Sequence, residues 1–152
     1  MNVMRDPGHQ TKKAMFWCAL VAQCADEPTV TANRIAASLL RTTLVEEFCA
    51  DAQLDITHLR DAVEDPAKPF DECQQKIRSE LAAKRIAFAS NEHQASVQPR
   101  PLDPRVKPVF DGILERYDRL AIPPLDLLNE LIRADAELAR RLASHGWNQP
   151  NV

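Results

Sequence analysis

The scarcity of glycine constrains this fold more than any other feature of the sequence. Only 3 of the 152 residues are Gly, which leaves few positions for the positive-φ turns that β-hairpins use. No segment sustains an alternation of apolar and polar residues with a period of two, whereas apolar residues repeatedly recur at intervals of three and four. That spacing places them on one face of a helix. The sequence therefore predicts an all-α fold.

Length and charge limit the classes of protein to which the chain can belong. A folded chain of this length buries about 68–70% of the surface that its unfolded form exposes, so we expect one helical domain over residues 1–152 that needs neither disulfides nor a structural metal. The 19 basic and 22 acidic residues give a net charge of −3. A broad basic face for nucleic acid is therefore disfavoured, and we expect no nucleic-acid partner.

The amino-terminal residues and the cysteines predict a reduced, cytoplasmic protein. The first residues are polar and show no export signal, and the longest uncharged stretch, 14–25, is shorter than the ~20 apolar residues that a membrane-spanning helix needs. We therefore expect no membrane partner. The cysteines have no C-x-x-C spacing. They are interpreted as buried apolar side chains, at Cys18, Cys24, Cys49 and Cys73.

Start and stop signals predict about eight short helices. The first carries an apolar stripe from Ala14 to Val21, and the sixth carries one from Phe110 to Tyr117. The other six are predicted from N-cap residues, capping boxes or a first-turn proline, at Thr31, Thr43, Asp55, Asp71, Pro124 and Asp135. Four prolines in residues 97–108 predict a linker.

A constant shift relates the two ends of the chain. Moving Ile35 and Leu39 by 92 positions places them on Leu127 and Leu131. After one extra residue, 49–55 meets 142–148. We therefore predict two pseudo-symmetric repeats, at about 12–65 and 108–148, joined by 66–107, a span with an extra helix and the Pro-rich linker. Each repeat is too small to bury its own apolar face, so the two are expected to pack together.

The sequence segments 31–41 and 124–133 show a resemblance to a known family. In their order and spacing they resemble the Clp N-terminal domain, the double-repeat helical module found ahead of the ATPase rings of Clp-type AAA+ unfoldases. The chain departs from the family where Arg34-Ile35-Ala36 replaces the usual His-Leu-Leu and where Gln53 replaces a Gly. The resemblance implies a non-catalytic module without a cofactor. Its partners would be adaptor proteins, unfolded segments or a Clp-type AAA+ ring.

Local signals for catalysis or metal binding are weak. The four histidines form no H-x-x-x-H or H-E-x-x-H pair. Asp55, His58 and Asp61 share a helical face, but Asp55 is better interpreted as an N-cap and the other two as solvated residues. Cys49 lies on an apolar stripe, where a buried thiol is inert. We expect no catalytic residues and no metal ligands.

Apolar side chains outside the main stripes mark candidate binding surfaces. On the first helix, Phe16 and Leu20 point away from the stripe, and with Tyr117 and Trp147 they are the candidate protein-binding residues. Coverage of the first helix by the 70–88 helix is the competing interpretation, as is docking of Trp147 onto the last helix. Two other functions stay open: an enzyme or ligand-binding protein with its site between the halves, and an oligomer that exchanges the 70–88 helix.

Overall fold

The secondary-structure elements in the described part of the chain are all α-helices. The computed structural model describes residues 6–90, 100–117 and 121–147, and of 84–90 it describes the backbone alone. Over these ranges it has eight α-helices and no β-strand, which confirms the predicted fold class. The helices are α1 (Pro7–Cys24), α2 (Ala32–Leu39), α3 (Thr43–Asp51), α4 (Ile56–Ala62), α5 (Phe70–Ser90), α6 (Lys107–Arg116), α7 (Pro124–Ala134) and α8 (Ala136–Ala143).

Some of the sequence-based predictions fall outside these ranges. Residues 97–99 of the predicted linker, the side chain of Phe88 and the aligned residue Asn148 are not among the described residues. The division into two repeats and a linker stays a prediction.

Local side-chain caps begin three of the helices where the sequence predicted them. The Thr31 hydroxyl accepts a hydrogen bond from the Arg34 N–H at 3.3 Å. The Asp55 and Asp135 carboxylates cap α4 and α8 in the same way. Each cap satisfies N–H groups that have no partner within the helix. Asp6 caps α1, which thus begins well before the predicted stripe.

Long-range caps begin α3 and α5, and here the predicted capping boxes are wrong. The N-cap of α3 is Thr42, whose hydroxyl donates to the Leu39 carbonyl at 2.7 Å. The Leu44 N–H instead donates to the Gln10 side-chain oxygen on α1 at 3.0 Å. Helix α5 begins at Phe70, whose N–H donates to the Glu64 carboxylate at 2.8 Å. A tertiary partner has thus replaced the local cap in both helices.

Three helices end in a left-handed residue, at Asp26, Gln53 and Gly146. Each end has a Schellman pattern, in which the N–H after the left-handed residue bonds a carbonyl five residues earlier. Examples are Leu54 N–H to Cys49 O at 2.8 Å and Trp147 N–H to Leu142 O at 3.1 Å. The ends at Gln53 and Gly146 lie at positions that the sequence alignment pairs. Leu54 packs close to Gly146.

The core forms where α1, α2 and α7 meet. Ser38 on α2 donates a hydrogen bond to the Ala14 carbonyl on α1 at 2.6 Å. Thr11 on α1 donates to the carbonyl of Ile122, just before α7, at 2.5 Å. Fully buried side chains fill the space between these helices, namely Ile35, Leu39, Leu40, Leu127, Leu128 and Leu131. Helix α5 packs on the side of α1, and α3, α4 and α8 adjoin one another.

A single parallel β-bridge ties the loop before α2 to the segment before α6. The Val30 N–H donates to Pro101 O at 2.8 Å, and the Asp103 N–H donates to Val30 O at 3.0 Å. This bridge holds residues 101–103, which lie within the predicted linker, against the first half of the chain.

Candidate functional site

A groove lies between the first half of α1 and the start of α5, and residues of α3 and α4 close one end of it. It encloses about 310 Å³. We call it the α1–α5 groove. Its principal lining side chains are His9, Lys13, Trp17, Arg41, Glu46, Arg60, Phe70, Asp71, Gln74 and Arg78.

Helical spacing explains why these residues share the groove. Gln10, Ala14 and Trp17 follow one another at intervals of four and three on α1. Phe70, Gln74 and Arg78 follow at intervals of four on α5. Because the two helices pack together, these faces form opposite walls.

Two guanidinium groups lie over the aromatic rings of the groove. The Arg41 Cζ is 4.4 Å from the centroid of the buried Phe70 ring. The Arg78 Cζ is 5.2 Å from the centroid of the half-buried Trp17 indole. Cation–π contacts of this kind hold the charged groups beside apolar surface. The groove therefore offers cationic and aromatic groups together.

Carboxylates neutralise two of the cations. Arg41 Nε contacts Asp71 Oδ1 at 2.9 Å, and Arg41 Nη2 contacts Glu64 Oε2 at 3.3 Å. Arg60 pairs with Glu46. The hydrogen bond from Arg41 lowers the pKa of Asp71 below its usual value, so this carboxylate is ionised at neutral pH.

Among the described residues, the remaining two cations have no acidic partner. Lys13 is exposed, and Arg78 lies over the Trp17 ring; over these ranges neither forms an ion pair. Lys13 stands one helical turn before Trp17 on α1, and Arg78 lies across the ring from α5. The half-buried indole is thus flanked by two free positive charges.

Phe16 does not line this groove but lies next to Trp17, which does. It follows Lys13 on α1 at an interval of three residues and His9 at an interval of seven, and the residue is 55% exposed. The ring meets Trp17 edge to face, with 5.8 Å between the centroids. Phe16 and Trp17 therefore place two aromatic rings side by side next to the groove.

The four candidate binding residues do not share one surface. Leu20 and Trp147 are buried, with 6% and 3% of their surface exposed, so in this monomer they are not accessible to a partner. Tyr117 is half-buried after α6 and does not line the groove. Only Phe16 borders it. Whether any of the four contacts a partner stays a prediction.

Sequence reasoning missed the charged side chains of the groove. Arg78 becomes a neighbour of Trp17, and Arg41 a neighbour of Phe70, only through the packing of the helices. The apolar stripe of α5 indicated a packing helix, but it did not say which helix receives it.

Three of the four cysteine thiols, at Cys18, Cys49 and Cys73, are held in unreactive settings, whereas Cys24 is half-buried and not fully buried as the sequence predicted. Burial raises the pKa of Cys18 to about 12 and the pKa values of Cys49 and Cys73 to about 11. All four cysteines are free thiols. Thiols with such pKa values stay protonated and are poor nucleophiles.

The carboxylate of Asp55, which caps α4, also contacts the His58 side chain. His58 Nδ1 lies 3.3 Å from Asp55 Oδ2, and the His58 ring lies 5.9 Å from that of His145. Across residues 6–90, 100–117 and 121–147, no three side chains of the His, Cys, Asp or Glu types are grouped so as to hold a metal ion. Within the same ranges, no helix combines the length and apolarity needed to cross a bilayer.

A second groove separates the start of α2 from the start of α8. It encloses about 220 Å³, and neither Cys nor His lines it; the lining includes Thr31, Asn33, Asp103, Arg105, Glu137 and Arg141. Arg141 pairs with Glu137 at 2.9 Å. This groove is one of three cavities in the described residues that combine side chains of both predicted halves, and its groups include helix caps and paired charges.

Comparison with known proteins provides no further guide. No family model, curated protein or solved structure matches the chain significantly.

Proposed function

We propose that this chain is a non-catalytic protein-binding module, and that it docks extended apolar segments of other proteins in the α1–α5 groove. The observation that supports this proposal is the position of Phe16. Its ring is 55% exposed and stands against Trp17 at the edge of a preformed groove. Recognition sites typically combine such concave surfaces with aromatic walls and a few polar groups.

We expect the burial of Phe16 and of the exposed part of Trp17 to provide much of the free energy of docking. Covering apolar surface contributes about 25 cal/mol for each Å² removed from water. Aromatic side chains at the centre of an interface contribute a disproportionate share of binding free energy. The side chain of a docked segment would cover Phe16 and the exposed part of Trp17 together.

The resemblance to the Clp N-terminal domain extends the proposal to the class of partner. We propose that the chain binds adaptor proteins or unfolded segments in the cytoplasm, near a Clp-type AAA+ ring. The Schellman ends at Gln53 and Gly146 support the repeat hypothesis, since both residues are left-handed where the alignment pairs them. Two of their hydrogen bonds also correspond, since Gln53 and Gly146 each bond the carbonyl three residues earlier, and Leu54 and Trp147 each bond the carbonyl five residues earlier.

Replacement of the exposed phenyl ring tests the docking surface. The chain offers a matched control, because Leu114 on α6 is 54% exposed and does not line the groove. We expect Phe16→Ser to weaken the binding of a fluorescently labelled, permanently unfolded protein, measured by anisotropy, by about tenfold. Leu114→Ser should leave the affinity unchanged. Equal affinities for both variants and the unmodified chain would place docking elsewhere.

A second measurement tests the Clp part of the proposal. The unmodified chain is mixed with an isolated Clp-type AAA+ ring, and binding is followed by sedimentation velocity. Co-sedimentation with the ring supports the resemblance. Binding of the unfolded protein without binding of the ring retains the docking function and rejects that partner.

A further inference from the structure

The charges around Trp17 indicate what kind of segment the α1–α5 groove accepts. We propose that the groove recognises an acidic protein segment, in which an apolar side chain is flanked by Asp or Glu. This inference rests on the proposed docking function and specifies the chemistry of the partner.

Charge complementarity carries the inference. Four basic side chains and two carboxylates line the groove, a formal surplus of two positive charges on a chain whose net charge is −3. Glu64 contacts Arg41 from outside this lining. Arg41 and Arg60 are thereby satisfied, and Lys13 and Arg78 are left without carboxylate partners in the described residues. A bound segment would supply the missing carboxylates.

The placement of the two free cations adds a geometric requirement. Lys13 projects from α1 one turn before Trp17, and Arg78 reaches the indole from α5. The apolar surface of Trp17 and Phe16 thus lies beside positive charge from both helices. A segment that places an aromatic or aliphatic side chain on these rings brings its neighbouring residues towards Lys13 and Arg78. Carboxylates at those neighbouring positions would form ion pairs on both sides.

A phosphate backbone fits this groove less well. Aromatic rings beside cations can also stack bases and bind phosphates. However, Glu46 and Asp71 line the same groove, and both would repel a continuous row of phosphates. A short acidic segment can place its carboxylates at the two free cations alone. We therefore favour protein over nucleic acid.

Three peptides of equal length provide the test. They share one Phe-Leu pair and differ in the flanking residues, which are Asp and Glu, Asn and Gln, or Lys and Arg. Binding of each labelled peptide to the full chain is measured by fluorescence anisotropy. Because exposed ion pairs contribute up to about fivefold in affinity each, we expect the acidic peptide to bind about tenfold more tightly than the neutral one. This preference should shrink as ionic strength rises.

A matched pair of double variants assigns the preference to the two cations. Lys13→Gln with Arg78→Gln should bring the acidic peptide down to the affinity of the neutral peptide. The control is Lys12→Gln with Lys76→Gln, which removes the same charge from exposed positions of the same two helices outside the groove. It should retain most of the preference. Circular dichroism checks that both variants keep their helices.

The outcomes separate this inference from the docking function. Equal affinity for the acidic and neutral peptides, or a preference for the basic one, overturns the inference and leaves docking intact. Failure of all three peptides and of the unfolded protein to bind overturns both. Displacement of the acidic peptide by a single-stranded oligonucleotide of equal charge, at equal or lower concentration, would also overturn the assignment to an acidic protein segment.

Discussion

The indole ring of Trp147 packs against the phenyl ring of Phe48, with their centroids 5.4 Å apart. This contact packs the segment that follows α8 against α3. Leu54 and Gly146 meet beside it, and the His58 and His145 rings lie 5.9 Å apart. The two Schellman ends therefore pack against each other, and this region should be important for stability.

Truncation of Trp147 tests the energetic weight of this contact. Trp147 is 3% exposed, and within the described residues its Nε1 has no hydrogen-bond partner. Trp147→Ala should lower the free energy of unfolding by about 3–5 kcal/mol. Trp147→Phe keeps most of the apolar surface and removes a buried N–H that lacks a partner, so it should cost about 1 kcal/mol or less. Urea unfolding followed by circular dichroism measures both; equal losses would contradict the packing argument.

The left-handed residues Gln53 and Gly146 should respond oppositely to substitution. Gln53 has φ 60°, a conformation that costs a non-glycine residue about 1 kcal/mol. Gln53→Gly should therefore raise the free energy of unfolding by about 0.5 kcal/mol, after the entropy of glycine in the unfolded chain is subtracted.

Gly146 has φ 92°, and a Cβ there would lie 3.1 Å from Leu54 Cδ2. Gly146→Ala should lower the free energy of unfolding by about 1–2 kcal/mol. Thermal unfolding of the two variants beside the unmodified chain checks the signs. A stabilising Gly146→Ala would contradict the left-handed helix end.

Glu130 should make stability depend on acid pH. Hydrogen bonds from Arg116, and to a smaller extent from Arg133, lower its pKa below the ordinary value of 4.5. A lowered carboxyl pKa stabilises the fold above the unfolded-state pKa, and this contribution is lost as the pH falls through the folded-state pKa.

The stability difference between the unmodified chain and Glu130→Gln should therefore be about 1 kcal/mol at neutral pH and should shrink below pH 4.5. Urea unfolding over a pH series provides the measurement. The control is Glu80→Gln, because Glu80 is exposed on α5. The prediction fails if the difference grows on acidification.

Buried thiols should react slowly in the folded protein. Desolvation raises the pKa of Cys73 from 9.0 to about 11 and that of Cys18 to about 12. At pH 8 the thiolate fraction of Cys73 falls by about a hundredfold. Alkylation by iodoacetamide, followed by mass spectrometry of each cysteine peptide, should be slower by at least that factor in the native protein than in urea. Equal rates for Cys73 in both conditions would contradict its burial.

The sequence predicted the helices well wherever a helix carries its own signal. Thr31, Asp55 and Asp135 cap their helices through groups only two or three residues away, so a local pattern was sufficient. The local pattern failed at α3 and α5. There the first N–H groups donate to side chains outside the helix, those of Gln10 and Glu64. A local pattern holds no information about such partners.

The same limit applies to the groove. Phe16 stood out as an aromatic residue away from the main stripe, and it does border the groove. The sequence analysis singled out neither Lys13 nor Arg78, and the position of Arg78 over Trp17 depends on the packing of α5 on α1. Leu20 appeared to lie on a free face for a related reason, since periodicity cannot show which side of a helix the rest of the fold covers.

The hydrogen bond from Thr11 to the Ile122 carbonyl spans 111 residues, and this separation affects how the protein is made. At translation rates of about 5–20 residues per second, α1 emerges from the ribosome roughly 6–20 s before its partner beside α7 has been synthesised. Throughout that interval α1 lacks its contacts with α7, although α2, which packs against it more extensively, is made soon after it. The nascent chain should therefore leave the α7-facing part of α1 uncovered until the second half is complete.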